Sequence, residues 1–124
     1  MTKTLLLFGL FFCGFSVLMG AFGAHALKDK LSEYSISIYD KAVFYQIFHA
    51  IGILLVSILG QVFNTQVFNT SGWLFIIGIL LFSGSLFILS FTGIKWLGAI
   101  TPIGGVMFIV GWFLLFFKVL KMQI

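Results

Sequence analysis

The stretch from Trp73 to Thr92, WLFIIGILLFSGSLFILSFT, contains no Asp, Glu, Lys, Arg or His. A hydrocarbon layer about 30 Å thick is crossed by about 20 helical residues, and an apolar run of that length has few other places to go. Three more runs share the property or nearly so. Trp96 to Phe117 carries no charged residue or histidine, Thr4 to Leu27 carries only His25, and Ala42 to Phe63 only His49. In lipid every backbone N–H and C=O has to be bonded within the segment or the bundle, so all four runs are expected to be helices. The chain reads as an all-α membrane protein, a four-transmembrane-helix bundle forming one domain over residues 1–124.

Composition agrees. Hydrophobic residues make up 61% of the chain and charged ones 8%, where a soluble domain carries about a quarter charged residues. That is too little polar surface to cover a water-facing globule. The net charge of +4 comes from lysines scattered near the ends of apolar runs, where they snorkel and set topology. No basic stripe suits a nucleic acid. Cys13 is the single cysteine and has no internal partner for a disulfide.

The connections are short. Lys28 to Lys41 holds Asp29, Glu33 and Asp40, and reads as an interfacial loop with some helical content. The second contains QVFNTQVFNT, a tandem repeat of Gln61–Thr65 in Gln66–Thr70, and reads as a tolerated loop insertion. The third is a turn around Gly93–Lys95. Lys3 and the Ala24-His25-Ala26 pattern resemble a cleavable signal, but the first run exceeds the 7–15 apolar residues usual there, so it is expected to stay as a span. Four spans put Lys3, Lys118 and Lys121 on one side and Lys28, Lys30, Lys41 and Lys95 on the other. Lysines alone nearly tie, and acids contribute little to the rule. The amino terminus and the acid-free character of the first side favour termini in the cytoplasm.

Small residues mark packing faces, since they let backbones approach where no hydrophobic effect drives helices together. On the first helix Gly9, Cys13, Ser16, Gly20 and Gly23 form one stripe. Gly14 and Ala21 form a second, which predicts two neighbours and a central place for this helix. The third helix presents Gly78, Ser85 and Thr92 at heptad spacing, and Ser83–Ser85 reads as small-residue packing. The fourth presents Gly98, Thr101 and Gly105 together with Gly104 and Gly111. Pro102 either occupies the first position of a helix capped by Thr101 or kinks a longer one. The cap is favoured because Gly93–Gly98 reads as a turn with an interfacial Trp96, matched by Trp73 at the opposite interface.

The second helix carries the most polar intramembrane stripe, with Tyr45, Gln46 and His49 on one face. His25 and His49 are expected in the same leaflet, at depths differing by roughly 5–10 Å. Three roles are open to them. The pair could ligate a haem iron, though no second pair or attachment motif supports a cofactor. His49 with Tyr45 and Gln46 could form a proton relay or polar substrate site, though such sites usually keep an acid in the membrane, and this chain keeps none. Both could simply hydrogen-bond to neighbouring helices or interfacial water. This third role is the expected one, because polar side chains commonly join membrane helices. No nucleophile-plus-base set, metal-ligand spacing or phosphate loop is visible, so no enzyme and no metal site are expected.

Several blocks, GAFGAHALKDKL, KAVFYQIFHAIGIL, LFSGSLFILSFTG and LGAITPIGGVMFIVGW, resemble the YgdD/YwdK-like family of small bacterial inner-membrane proteins, a domain of unknown function. The likeness runs in order along essentially the whole chain. It implies a four-helix protein of the bacterial cell membrane and no particular reaction. By this similarity the signature residues are Gly20, Gly23, His25, Tyr45, Gln46, His49, Gly84, Thr101, Pro102, Gly104 and Gly105. Phe87 departs from a tyrosine common in the family, and the QVFNT repeat has no counterpart there. The resulting expectation is a non-enzymatic membrane component whose partners are lipids, further copies of itself or other membrane proteins; transport of a small solute, lipid or proton is the alternative.

Overall fold

The computed structural model describes residues 2–124. Its helices are α1 (Thr2–His25), α2 (Glu33–Val62), α3 (Asn69–Gly78), α4 (Gly84–Thr92) and α5 (Thr101–Leu120). A π-helical turn, Ile79–Ser83, joins α3 to α4, and a 3-10 turn, Lys95–Ala99, precedes α5. Four continuous helical stretches are long and apolar enough to span a membrane: Lys3–His25, Glu33–Val62, Asn69–Thr92 and Lys95–Leu120.

α2 starts earlier than the sequence suggests. Ser32 accepts a hydrogen bond from the Ser35 N–H at 3.1 Å, and Glu33 sits in the first turn, two features that favour helix initiation. Residues 33–41 are therefore helix rather than loop. The alternation of serine and isoleucine disguised a helical face on which Ile38, Tyr39 and Ala42 pack against Leu27, Leu86 and Phe87. With 30 residues, α2 is about 45 Å long, and its charged first turns extend beyond the apolar part.

The QVFNT repeat is likewise structured. The first copy ends α2: Asn64 takes a left-handed φ of 49°, its N–H bonds the Gln61 carbonyl, and the Thr65 N–H bonds the Gly60 carbonyl. This is a Schellman stop with asparagine in place of glycine. The second copy supplies Phe68, fully buried against the main core, and then Asn69 and Thr70 at the start of α3. Lys118 donates to the Val67 carbonyl and ties this connection to the end of α5.

α2 and the α3–α4 helix are the centre of the bundle, and α1 is peripheral. α1 lies along α2, while α5 lies along α3 and the π turn. The expected stripe on α1 does face α2. A Cβ on Gly23 would strike the Tyr39 ring, one on Gly9 would meet Leu54 Cδ2 at 2.6 Å, and one on Gly20 would rest 3.6 Å from Val43. Ser16 is buried there and Cys13 half-buried. The second stripe has no neighbour among the described residues: Ala21 is exposed, and none of them lies within 4 Å of a Cβ added at Gly14.

The heptad stripe on the third span holds at two of its three positions, with a π turn between them. The Gly84 N–H reaches back to the Ile79 carbonyl, one residue further than in an α-helix. The extra residue rotates everything after it by about 100°. Gly78 faces Phe108 and Ser85 bonds Thr101, but Thr92 is exposed and bonds its own Ile88 carbonyl. Pro102 is the second residue of α5, one place after the first position that the sequence suggests. Thr101 is not the cap: its hydroxyl bonds Ser85 Oγ at 2.6 Å and the Leu97 carbonyl at 3.4 Å.

Candidate functional site

His49 is the most heavily engaged polar side chain in the membrane interior. It is buried, and both ring nitrogens have partners. Nδ1 lies 2.8 Å from the Tyr45 carbonyl oxygen, and Trp112 Nε1 donates to Nε2 at 2.9 Å. A carbonyl can only accept and an indole N–H can only donate, so the ring is neutral with its proton on Nδ1. Phe108 stacks on the imidazole at 3.5 Å between centroids, and Phe75 meets it edge-on at 5.4 Å. The ring is thus bonded at two edges and clamped on one face.

Close approach of α5 to the third span creates this arrangement. At Gly104 an added Cβ would strike the backbone nitrogen of Phe82 and come within 2.9 Å of the Gly78 carbonyl. At Gly111 it would meet Phe75 Cε1 at 2.6 Å. Glycines at these two points bring Phe108 and Trp112, on the same flank of α5, over His49. The π turn sits at the crossing. Its Phe82 packs 4.7 Å from the Tyr45 ring and 5.5 Å from Phe108, and Ser83 donates to the Ala42 carbonyl at 2.7 Å. Gly105 only grazes Phe82, at 3.8 Å. Ser83 and Ser85 thus join helices by hydrogen bonds, beyond simple small-residue packing.

The four polar residues singled out from the sequence do not form one site. Gln46 points to α1, where its Nε2 donates to the Phe12 carbonyl at 3.4 Å. Tyr45 is 38% exposed, and its ring lines a 430 Å³ groove between α2 and α5 with His49 at the base. His25 is exposed at the end of α1. Since Gln46 is level with Phe12, near the middle of α1, His49 lies deep in the bundle and His25 about 20 Å further along its axis. The expected depth difference of 5–10 Å is corrected by that contact, and the two imidazoles cannot share one iron. Sequence reading missed Trp112, Phe108 and Phe82. Trp112 offered a usable signal, being far from either end of its span, where a buried indole N–H needs an acceptor.

A family model described as "Protein of unknown function (DUF423)" matches residues 19–105. Among similar proteins, a UPF0382 membrane protein of Staphylococcus epidermidis is 50% identical over 102 residues, covering 82% of this chain and 83% of that one. The UPF0382 membrane protein SH2409 of Staphylococcus haemolyticus is 47% identical over 86% of each chain. The UPF0382 membrane protein YwdK of Bacillus subtilis is 43% identical over 83% of this chain and 85% of its own. No solved structure matches. The matched region includes His25, the Tyr45–His49 segment, the π turn and Gly104, while Trp112 lies beyond it. With a family model over most of its length and relatives at this identity, the chain belongs to the DUF423 (UPF0382) family of bacterial membrane proteins.

Proposed function

We propose that this protein is a non-enzymatic component of the bacterial cytoplasmic membrane, with both termini in the cytoplasm, that acts by packing against a second copy of itself or another membrane protein. The observation that carries the reading is the use made of intramembrane polarity. His49 is bonded to Trp112, Tyr39 to Met19, Gln46 to Phe12, Ser83 to Ala42 and Ser85 to Thr101. These groups are committed to holding helices together, the usual work of polar side chains in a bundle. The flank of α1 turned away from α2 keeps Gly14 and Ala21 bare, which suits a close helix contact with a further chain.

Native mass spectrometry of the protein in mild detergent tests the reading. Dimers or larger assemblies are expected, and replacing Gly14 and Ala21 by leucine is expected to dissociate them. Reconstitution into liposomes tests it from the other side: proton or solute flux that disappears on His49→Ala would overturn the structural role in favour of a transport pathway. Reporter fusions at the carboxyl terminus check the orientation, with cytoplasmic activity as the expected outcome.

A further inference from the structure

Two surface depressions on the α2 flank adjoin at Phe44. One, of 610 Å³, carries Lys28, Glu33, Asp40 and Lys41 around Leu31 and Ile36 and reaches Phe44. The other is the 430 Å³ aromatic groove, which begins at Phe44 and runs past Tyr45 and Phe48 to Phe108 and Trp112. Ser37, Lys41, Phe44 and Phe48 follow one another at steps of four and three, so one stripe of α2 passes from charged to apolar. The change falls between Lys41 and Phe44, where α2 enters its apolar part. A charge-rimmed depression at the interface beside a ring-lined groove within the hydrocarbon matches the two halves of a lipid molecule.

The charges narrow the choice of lipid. Lys28 and Lys41 offer two ammonium groups for a phosphate, but Glu33 and Asp40 share the pocket and repel a purely anionic headgroup. All four side chains are exposed and free to turn toward a ligand. We infer that this flank binds one phospholipid whose headgroup carries both a phosphate and a protonated amine. The phosphate lies at Lys28 and Lys41, the amine at Glu33 and Asp40, and an acyl chain in the groove behind Phe44. Charge-assisted hydrogen bonds carry the selectivity. An acyl chain gains no hydrophobic energy by leaving other lipids for protein, so the groove contributes shape and dispersion contact only. The site goes beyond the packing role and does not depend on it.

Native mass spectrometry with equal amounts of dioleoyl phosphatidylethanolamine, phosphatidylglycerol and phosphatidylcholine tests the site. One phosphatidylethanolamine adduct is expected, retained several-fold over each of the others, since phosphatidylcholine has no N–H to donate. Glu33→Gln with Asp40→Asn leaves a cationic pocket and is expected to shift the preference to phosphatidylglycerol. Ile109→Trp, at a 58% exposed position on the groove rim, is expected to remove the adduct while the helical circular dichroism is kept. Equal retention of the three lipids, or a preference unchanged by the double substitution, would overturn the proposal. Adduct and oligomer masses are read separately, so a lost lipid with intact assemblies counts against this site alone.

Discussion

α2 meets α1 and α5 on two flanks that are built differently. Against α1 it packs small residue to side chain, with two hydrogen bonds to backbone carbonyls, a short one from Tyr39 to Met19 and a long one from Gln46 to Phe12. Towards α5 it is spaced by rings, with a short side-chain bond from Trp112 to His49 and an open groove beside it. The α5 side is held in place indirectly, by the glycine crossing of α5 over the π turn. At Gly9 the first flank can yield by moving the end of Leu54. The second rests on backbone touching backbone and cannot.

The largest effect is therefore expected at that crossing. In Gly104→Ala the new methyl meets the Phe82 nitrogen and the Gly78 carbonyl, both backbone, and the loss is expected near the top of the usual overpacking range, about 3 kcal/mol. Gly9→Ala is the matched change on the other flank. Its methyl approaches Leu54 Cδ2 at 2.6 Å, a side-chain end that can swing away, and the Ala50 carbonyl at 3.3 Å, which asks for a shift of a few tenths of an ångström only. The helix gains up to about 1 kcal/mol in propensity, so the net loss is expected to be smaller than at Gly104. Unfolding of the detergent-solubilised protein by dodecyl sulfate, followed by circular dichroism, measures both. Equal losses would remove the distinction between the flanks.

A smaller effect is expected where rings and hydrogen bonds meet. His49→Leu leaves the Trp112 indole N–H without its acceptor, and Trp112→Phe leaves Nε2 without its donor. Either single change is expected to cost about 1–3 kcal/mol, the penalty of an unsatisfied buried group. The double variant is expected to cost less than the sum, with a coupling of about 1 kcal/mol, inside the range found for hydrogen bonds between membrane helices. Additive losses in that cycle would mean that the bond contributes nothing beyond packing.

These two interfaces also mark where the sequence was readable. The α1 stripe was legible because a regular helix repeats its small residues at steps of three and four, and Gly9, Ser16 and Gly23 face α2 as that spacing requires. The third span was only partly legible: Ser85 reaches Thr101 on α5, while Thr92 ends α4 before the chain turns at Gly93 and is left at the surface, and no spacing rule anticipates the extra residue of the π turn. The two copies of QVFNT show the same limit in miniature. One stops a helix and the other begins one, and the difference lies in what Phe68 is buried against. The polar residues were found, but grouping them by face alone missed that Gln46 and His49 reach different partners. His25 and His49 looked like neighbours only while the first turns of α2 were counted as loop.

On the α1 flank, Gln46→Leu is expected to cost roughly 0.5 kcal/mol, since a 3.4 Å bond is weak and leucine fills much of the same space. This loss is smaller than that of His49→Leu, although both side chains are buried to a similar degree. The same unfolding assay ranks them, and a reversed order would mean that the long Gln46 bond holds its flank more firmly than the short Trp112–His49 bond holds the other.

His25→Ala sits at the small end of the series. The side chain is exposed, and a surface substitution of this kind is expected to change stability by no more than about 0.5 kcal/mol. Its value lies in combination with His49→Leu. The residues are about 20 Å apart along the bundle, well beyond the separation at which substitutions stop interacting, so the double variant is expected to equal the sum of the singles within about 0.5 kcal/mol. A larger discrepancy would join the two histidines energetically, through a change of packing or a shared partner, and would restore the single polar site that their positions in the fold separate.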